Sequence, residues 1–150
     1  MRARRPGFVR IIGGNWRGRR LPVSDVPGLR PTGDRARETL FNWLQADIRG
    51  ARCVDLFAGT GALGIEALSR GAAHALFLDL SQAAVRTIRD NLEVTRLSDR
   101  ATVLQMDAFE LLKRKPRERY DFIYIAPPQY KGLWRQALLA LEANPDWLPE

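Results

Sequence analysis

The chain has 150 residues but only one cysteine and one histidine, and this shortage excludes several classes of protein. A lone Cys53 excludes an internal disulfide and is most simply a small core residue. His74 stands without any Cys or carboxylate cluster at ligand spacing, so we expect no metal. No apolar run approaches the roughly 18 residues of a membrane span, and no signal peptide is recognisable. We therefore expect a cytoplasmic protein with no membrane contact.

Lysine is also scarce, and the excess positive charge is confined to one end of the chain. The formal net charge is +7, and the segment up to Arg37 holds ten arginines, no lysine and two aspartates. Arginine binds phosphate in a bidentate manner and stays charged, so this segment suits a nucleic acid. The alternatives are a disordered tail, which we favour for residues 1–7, and a transit peptide, which the absence of serine before Ser24 disfavours.

Residues 8–23, FVRIIGGNWRGRRLPV, predict a β-hairpin with a basic tip, because two β-prone runs enclose glycines and an asparagine. Trp16 lies among arginines, a setting in which an aromatic ring stacks on a nucleobase. Thr32 or Asp34 then caps a helix from about Arg35, where arginines oppose the helix dipole unless an anion docks. The alternative for these arginines is an ion pair with Asp34 or Glu38. The predicted RNA-binding residues are Arg10, Asn15, Trp16, Arg17, Arg19, Arg20, Arg30, Arg35 and Arg37.

The run from Arg52 to Gly71, RCVDLFAGTGALGIEALSRG, indicates a buried strand, a tight glycine turn and a helix. Its glycines spell G-x-G-x-x-G, a loop that cradles nucleotide cofactors. The motif also marks NAD-binding folds, and Asp79 after the next apolar run would bind ribose hydroxyls in either kind of site. Asp55 disfavours a dinucleotide, because its carboxylate would repel a pyrophosphate but accept a hydrogen bond from an ammonium group or a water. A zwitterionic, sulfonium-bearing cofactor fits this corner better.

The rest of the chain alternates between strand and helix patterns, which predicts an α/β fold with parallel strands. The predicted strands are 52–56, 75–79, 101–105 and 121–125, and the predicted helices are 62–70, 81–96, 108–115 and 133–142. Ligands bind above the carboxyl ends of such strands, where Asp55, Asp79, Asp107 and Ala126 fall. Each acid has an alternative role as a cap or turn residue.

Together these segments resemble the class I S-adenosylmethionine-dependent methyltransferases, and among them the RsmD-type enzymes that methylate guanine N2 in small-subunit ribosomal RNA. The resemblance spans nearly the whole chain, through the basic arm, RPTGDRARETLFNWL, DLFAGTGALGIEALSRGA and the strand that ends in two prolines. It implies a Rossmann-like fold in which residues 1–30 form the basic arm and residues 31–150 the methyltransferase domain. It also implies S-adenosylmethionine as cofactor and ribosomal RNA or an assembling small subunit as partner. The implied cofactor-binding residues are Asp55, Phe57, Gly59, Gly61, Asp79, Leu80, Asp107 and Ala108.

Two features depart from that family. Its fourth strand ends in Asp or Asn, two prolines and an aromatic residue, whereas here the candidate catalytic residues are Ala126, Pro127, Pro128, Gln129 and Tyr130. Ala126 has no side-chain acceptor. The alternatives are the backbone carbonyls of Ala126 and Pro127 and the Gln129 amide oxygen, which would replace the missing carboxylate while Tyr130 stacks on the base. The family's sheet has seven strands, and here the last strands are expected to be missing, which would leave strand 121–125 as an apolar edge.

The leading hypothesis is therefore methylation of a guanine exocyclic amine in small-subunit ribosomal RNA. The alternatives are a protein that binds RNA and cofactor but has lost methyl transfer, and an NAD-dependent oxidoreductase supported by the glycine loop alone. Another exocyclic amine, such as adenine N6, stays open as the acceptor.

Overall fold

The computed structural model describes residues 8–22, 34–127 and 132–148. Within these ranges the secondary structure confirms the predicted alternation, and no predicted boundary is wrong by more than three residues. The strands are β1 (Phe8–Arg10), β2 (Arg20–Pro22), β3 (Arg52–Asp55), β4 (His74–Asp79), β5 (Ala101–Gln105) and β6 (Phe122–Tyr124). The helices are α1 (Asp34–Leu44), α2 (Ala62–Ser69), α3 (Gln82–Val94), α4 (Ala108–Leu112) and α5 (Leu133–Ala143).

Four of the strands form a parallel sheet in the order β5-β4-β3-β6. Because the strands are parallel, all four carboxyl ends lie at one edge of the sheet. The strand order reverses at β3, which is the point where such sheets bind ligands. Strands β1 and β2 form a separate antiparallel hairpin, as predicted. We call residues 8–22 the arm. Among the described strands β6 is at one end of the sheet, which confirms the predicted apolar edge.

Successive side chains of the central strands belong alternately to two apolar clusters, one on each face of the sheet. Cys53 and Phe77 pack on the face that carries Phe41 of α1 and Ile88 of α3. Val54, Leu76 and Leu78 pack on the other face, with residues of α4 and α5. Both faces of the sheet are therefore covered by helices, which explains why the sequences of these strands are continuously apolar.

Helix α2 has defined signals at both ends and is buried along its whole length. Gly61, at φ 80°, precedes its first turn. At the other end Gly71 has φ 105°, its N–H donates to Leu68 O, and the N–H of Ala72 donates to Ala67 O. These two bonds form a Schellman motif and confirm the predicted glycine cap. Burial on all sides follows because α2 packs on the sheet with one face and against the arm with the other.

Candidate functional site

The strand register brings the predicted acidic residues to one edge of the sheet. Asp55 ends β3 and is aligned with Tyr124 of β6, and Asp79 ends β4 and is aligned with Gln105 of β5. Asp107 and Ala126 each follow two residues after those aligned partners. The carboxyl edge therefore collects side chains that are up to 71 positions apart in the sequence.

The glycine loop leads from β3 to α2 and needs glycine for two different reasons. Gly59 and Gly61 have φ values of 55° and 80°, a region that side chains with a Cβ rarely adopt. Gly64 lies inside α2, where an added Cβ would lie 2.2 Å from Cε1 of Phe77. The third glycine of the motif therefore allows helix α2 to pack closely on β4, whereas the first two shape the loop.

Asp79 holds the glycine loop against the start of α3. One carboxylate oxygen accepts a hydrogen bond from the N–H of Gly59 at 2.8 Å, and the other accepts one from Ser81 at 2.8 Å. A carboxylate has about four acceptor positions, so further positions remain for the hydroxyl groups of a ligand. Asp79 thus makes the turn contacts that were the alternative to ligand binding, and it makes them beside the glycine loop.

Asp55 is the most unusual group at this edge. It is 1% exposed, and among the described residues neither of its carboxylate oxygens has a partner with hydrogen-bond geometry. Burial raises the pKa of the Asp55 carboxyl to about 7, the nearby Asp79 charge adds to the rise, and the backbone N–H groups of Gly64 and Phe57 partly oppose it. Native proteins rarely leave a buried carboxylate without a partner, so this group indicates a position built for a ligand.

Apolar groups flank the acids. Leu80, directly after Asp79, is 68% exposed, and Phe57 packs edge-on against Phe109 with ring centroids 6.1 Å apart. Asp107 caps α4 by accepting a hydrogen bond from the N–H of Phe109 at 2.8 Å, and Ala108 is buried. The alternative role of Asp107 as a helix cap is thus realised, and the edge offers apolar surface beside each acid.

The proposed catalytic stretch is only partly within the described residues. Ala126 is exposed and Pro127 is half-buried, both just beyond β6. The N–H of Leu56 donates to Tyr124 O at 3.2 Å, which keeps this strand end beside Asp55. Pro128, Gln129 and Tyr130 lie outside the described residues.

The arm presents most of its predicted RNA-binding residues to solvent. Asn15, Arg17, Arg19 and Arg20 are exposed, and so is Arg10, whose guanidinium lies 3.6 Å from Asp34. Trp16 is half-buried and packs on the core, with the Arg19 guanidinium 5.9 Å from its ring centroid. Base stacking by Trp16 stays a prediction, restricted to the part of the ring that the core leaves open.

One predicted RNA-binding residue is wrong. Arg37 is 1% exposed, its guanidinium donates to Asp34 Oδ1 at 2.6 Å and to Arg10 O at 2.9 Å, and it lies 3.4 Å from Glu66 Oε1. A buried guanidinium with these partners is not available to RNA, so the ion-pair alternative is correct for this residue. Arg35 is exposed, and Arg30 lies outside the described residues.

The residues that hold the arm on the domain were not predicted from the sequence. Glu66 of α2 is 0% exposed and accepts hydrogen bonds from the backbone N–H groups of Ile12 and Gly13, each at 2.8 Å. Asn91 of α3 donates to Pro22 O at 2.9 Å. The only available signal was an acidic residue in the apolar helix sequence ALGIEALS, because a buried acid requires a partner.

In the ranges that the structure covers, no helix is long and apolar enough to cross a bilayer. The same ranges contain no group of three or more His, Cys, Asp or Glu residues arranged to hold a metal ion.

A parallel sheet ordered β5-β4-β3-β6, a glycine loop after its central strand and acids at the ends of β3 and β4 define a Rossmann-like fold. Similar solved structures identify it as the class I methyltransferase fold. The family model described as "Conserved hypothetical protein 95" matches residues 9–150. The chain belongs to this family, which is the RsmD family.

Several relatives of this chain carry names. The chain is 46% identical over 144 residues to "Ribosomal RNA small subunit methyltransferase D" of Escherichia coli strain K12, with 96% of this chain and 71% of that protein covered. It is 44% identical to the protein of the same name from Haemophilus influenzae, with 95% and 74% covered. The solved structure of "Putative methyltransferase yhhF from Escherichia coli" superposes with a TM-score of 0.86 at 42% identity, covering 96% of this chain and 76% of that one.

These findings confirm the predicted family and fold class. The oxidoreductase alternative has no support from them, because the named relatives and the superposed structure are methyltransferases.

Proposed function

We propose that this protein transfers a methyl group from S-adenosylmethionine to the exocyclic amine N2 of a guanine in small-subunit ribosomal RNA. The observation that carries the proposal is the buried Asp55 carboxylate, which lacks a hydrogen-bond partner among the described residues and adjoins the glycine loop. A partner with an ammonium group satisfies such a carboxylate, whereas a pyrophosphate would be repelled by it. The names of the relatives support both methyl transfer and ribosomal RNA as the substrate class.

The residues at the carboxyl edge fit this cofactor. When bound, S-adenosylmethionine supplies an electrophilic methyl group on a sulfonium centre. Asp55 accepts hydrogen bonds from its ammonium group, and the Gly59 to Gly61 turn lets the backbone approach its methionine part. The free acceptor positions of Asp79 suit two ribose hydroxyls.

Apolar surface beside these acids suits the flat adenine ring. Leu80 is exposed next to Asp79, and a ring that stacks on it would remove its apolar surface from water. Asp107 and Ala108 are assigned to the adenine, with Asp107 keeping its role as the cap of α4. Phe57 is assigned to the methionine part, with Gly59 and Gly61.

The acceptor amine is assigned to the segment after β6. A guanine N2 is a weak nucleophile because its lone pair is delocalised into the base, and hydrogen bonds accepted from the amine localise that pair and aim it. The backbone carbonyls of Ala126 and Pro127 act as these acceptors. The Gln129 amide oxygen supplies a further acceptor in place of a carboxylate, and Tyr130 stacks on the base. Pro128 belongs to the same assigned stretch.

The arm supplies the attraction for RNA. Arg10, Asn15, Arg17, Arg19 and Arg20 lie on its exposed surface, and Trp16 adds part of a ring for stacking. Arg35, exposed at the start of α1, adds to this basic surface, and Arg30 is assigned to RNA from the sequence. The partner is the ribosomal RNA itself or an assembling small subunit.

The relatives give no support to the alternative in which methyl transfer has been lost, since the proteins at 44% and 46% identity are named as methyltransferases. Substitutions at the unusual positions test how the activity is achieved. Gln129→Ala is expected to lower the transfer rate if the amide accepts from the amine, and an unchanged rate would remove this role. Ala126→Asp restores the family's acceptor and tests whether the natural site is limited at that position.

Methyl transfer from labelled S-adenosylmethionine to unmodified small-subunit ribosomal RNA and to assembling small subunits tests the proposal. The expected product after digestion to nucleosides is N2-methylguanosine, identified by mass spectrometry. An adenosine product, or no transfer to either substrate, would overturn it. Calorimetry should show that the protein binds S-adenosylhomocysteine but not NAD. Asp55→Asn should weaken the binding of S-adenosylhomocysteine.

A further inference from the structure

The arm is attached to the domain through one buried acid. Glu66 lies in the middle of α2, and its two carboxylate oxygens receive the N–H groups of Ile12 and Gly13 at 2.8 Å each. Arg70 Nε lies 2.8 Å from Oε2 and Arg37 Nη1 lies 3.4 Å from Oε1. Glu66 therefore connects the arm, α1 and α2 in a single network that is shielded from water.

The arm approaches α2 so closely that only glycine fits at position 14. A Cβ at Gly14 would lie 1.8 Å from the backbone oxygen of Ser69 and 2.7 Å from the nitrogen of Arg70. A Cβ at Gly13 would lie 2.8 Å from the Arg70 guanidinium carbon. These glycines lie in the predicted connection between the two strands of the hairpin, and their backbone also lies directly against the end of α2.

Further hydrogen bonds fix the second strand of the arm and the connection between its two strands. The N–H of Trp16 donates to Ser69 Oγ at 3.0 Å, and the Ser69 hydroxyl donates to Gly13 O at 2.6 Å. Asn91 on α3 fixes the second strand through Pro22 O. If the arm served only to attract RNA, it would need none of these contacts, because electrostatic attraction does not require a fixed geometry.

Helix α2 has the cofactor loop at one end and the arm at the other. It begins directly after Gly61 and ends at Ser69, a rise of roughly 12 Å for its length. We propose that Glu66 is a positioning residue that fixes the arm on α2, and thereby sets where bound RNA lies relative to the methyl donor. The inference rests on the proposed function, because it assigns the arm to RNA and the glycine loop to the cofactor.

Positioning and affinity predict different kinetic effects. If the arm detaches from α2, its exposed arginines still bind RNA, but the target amine spends less time in the productive position. Small misplacements of a reacting group reduce a rate strongly without a matching loss of binding. The turnover number at saturating RNA should therefore fall, while the dissociation constant for RNA changes little.

A matched pair of glycine variants isolates this effect. Gly14→Ala drives a Cβ into Ser69, whereas Gly18→Ala has a similar positive φ of 84° but meets no atom within 4 Å. Both variants carry the same backbone strain and leave every arginine in place. We expect Gly14→Ala to lower kcat by about tenfold or more. Its affinities for RNA and for S-adenosylhomocysteine should stay within about threefold of those of the unmodified protein. The kcat of Gly18→Ala should be near that of the unmodified protein.

Glu66→Gln tests the same contact from the helix side. An amide presents a donor to one of two backbone N–H groups, removes the ion-pair partner of Arg70 and leaves Arg37 paired with Asp34. Amide hydrogen exchange at Ile12, Gly13 and Trp16 should become faster in this variant, with the same loss of kcat.

Equal kcat values for Gly14→Ala and Gly18→Ala would overturn the inference, and so would a loss of RNA affinity with normal kcat. A parallel loss of S-adenosylhomocysteine binding would also overturn it, because α2 itself would then be damaged. Failure of the unmodified protein to methylate RNA would count against the proposed function instead. The exchange rates of the arm amides would then still decide whether Glu66 fixes the arm.

Discussion

Asp55 shows how one residue can predict a ligand. A carboxylate that is buried without hydrogen bonds is unfavourable in its charged form, which is why burial raises the pKa of Asp55 to about 7. A cationic partner reverses this preference, since it stabilises the charged form. Binding of an ammonium group should therefore lower the pKa of this carboxyl and release a proton at neutral pH.

The pH dependence of cofactor binding follows from that argument. Below about pH 7 the free protein holds Asp55 protonated, so S-adenosylhomocysteine affinity should rise by up to about tenfold per pH unit toward neutrality and then level off. Calorimetry between pH 5.5 and 8.5, roughly the range that brackets the carboxyl, measures this. Asp55→Asn should bind weakly with a nearly flat profile between those values. A steep profile in Asp55→Asn would mean that another group titrates.

At the level of elements, short-range patterns were sufficient to predict the strands and helices. Apolar runs predicted β3 and β4, Ser81 caps α3 by accepting from the N–H of Ala84, and Gly71 ends α2 as expected. These signals lie within a few residues of the structure they specify. The fold class and the carboxyl-edge position of the acids followed from them.

The contacts between elements were not predictable in the same way. Glu66 contacts Arg37, which is 29 positions away in the sequence, and Ile12, which is 54 positions away. No local sequence pattern around these residues indicates that they contact Glu66. Arg37 was therefore assigned to RNA on the basis of charge alone. The two glycines of the arm were correctly assigned to the turn between β1 and β2. Their close approach to α2 was not predicted, because a sequence shows that glycine is present but not which backbone it approaches.

The contact of α2 with β4 can be tested at Gly64. A Cβ there would enter the ring of Phe77, and overpacking of this kind costs about 2 kcal/mol in the free energy of unfolding. Alanine gains about 1 kcal/mol over glycine from helix propensity, which offsets only part of the cost. Urea unfolding should show Gly64→Ala destabilised. With Phe77→Leu in the same chain the added cost should shrink, and additive costs in the double variant would show that the two residues do not interact.

For the whole molecule, the distribution of charge and the position of the arm agree. The net charge of +7 derives from the segment up to Arg37, and the arm packs on the sheet face that carries α1 and α2. The opposite face carries α4, α5 and the exposed cations of the segment before β6. We therefore expect a nucleic acid that binds the arm to lie on the face of the sheet that carries α1 and α2.

The salt dependence of RNA binding separates these two faces. Replacing Arg17, Arg19 and Arg20 by alanine should weaken binding and reduce the magnitude of the slope of log affinity against log salt by about 2 to 3, because each phosphate contact releases about 0.7 to 0.9 of a counterion. The control with alanine at Arg114, Arg117 and Arg135 removes the same charge from exposed positions on the other face. Its slope should stay near that of the unmodified protein, because those residues lie away from the arm. Equal slopes for the two triple variants would mean that net charge, rather than the arm, attracts RNA.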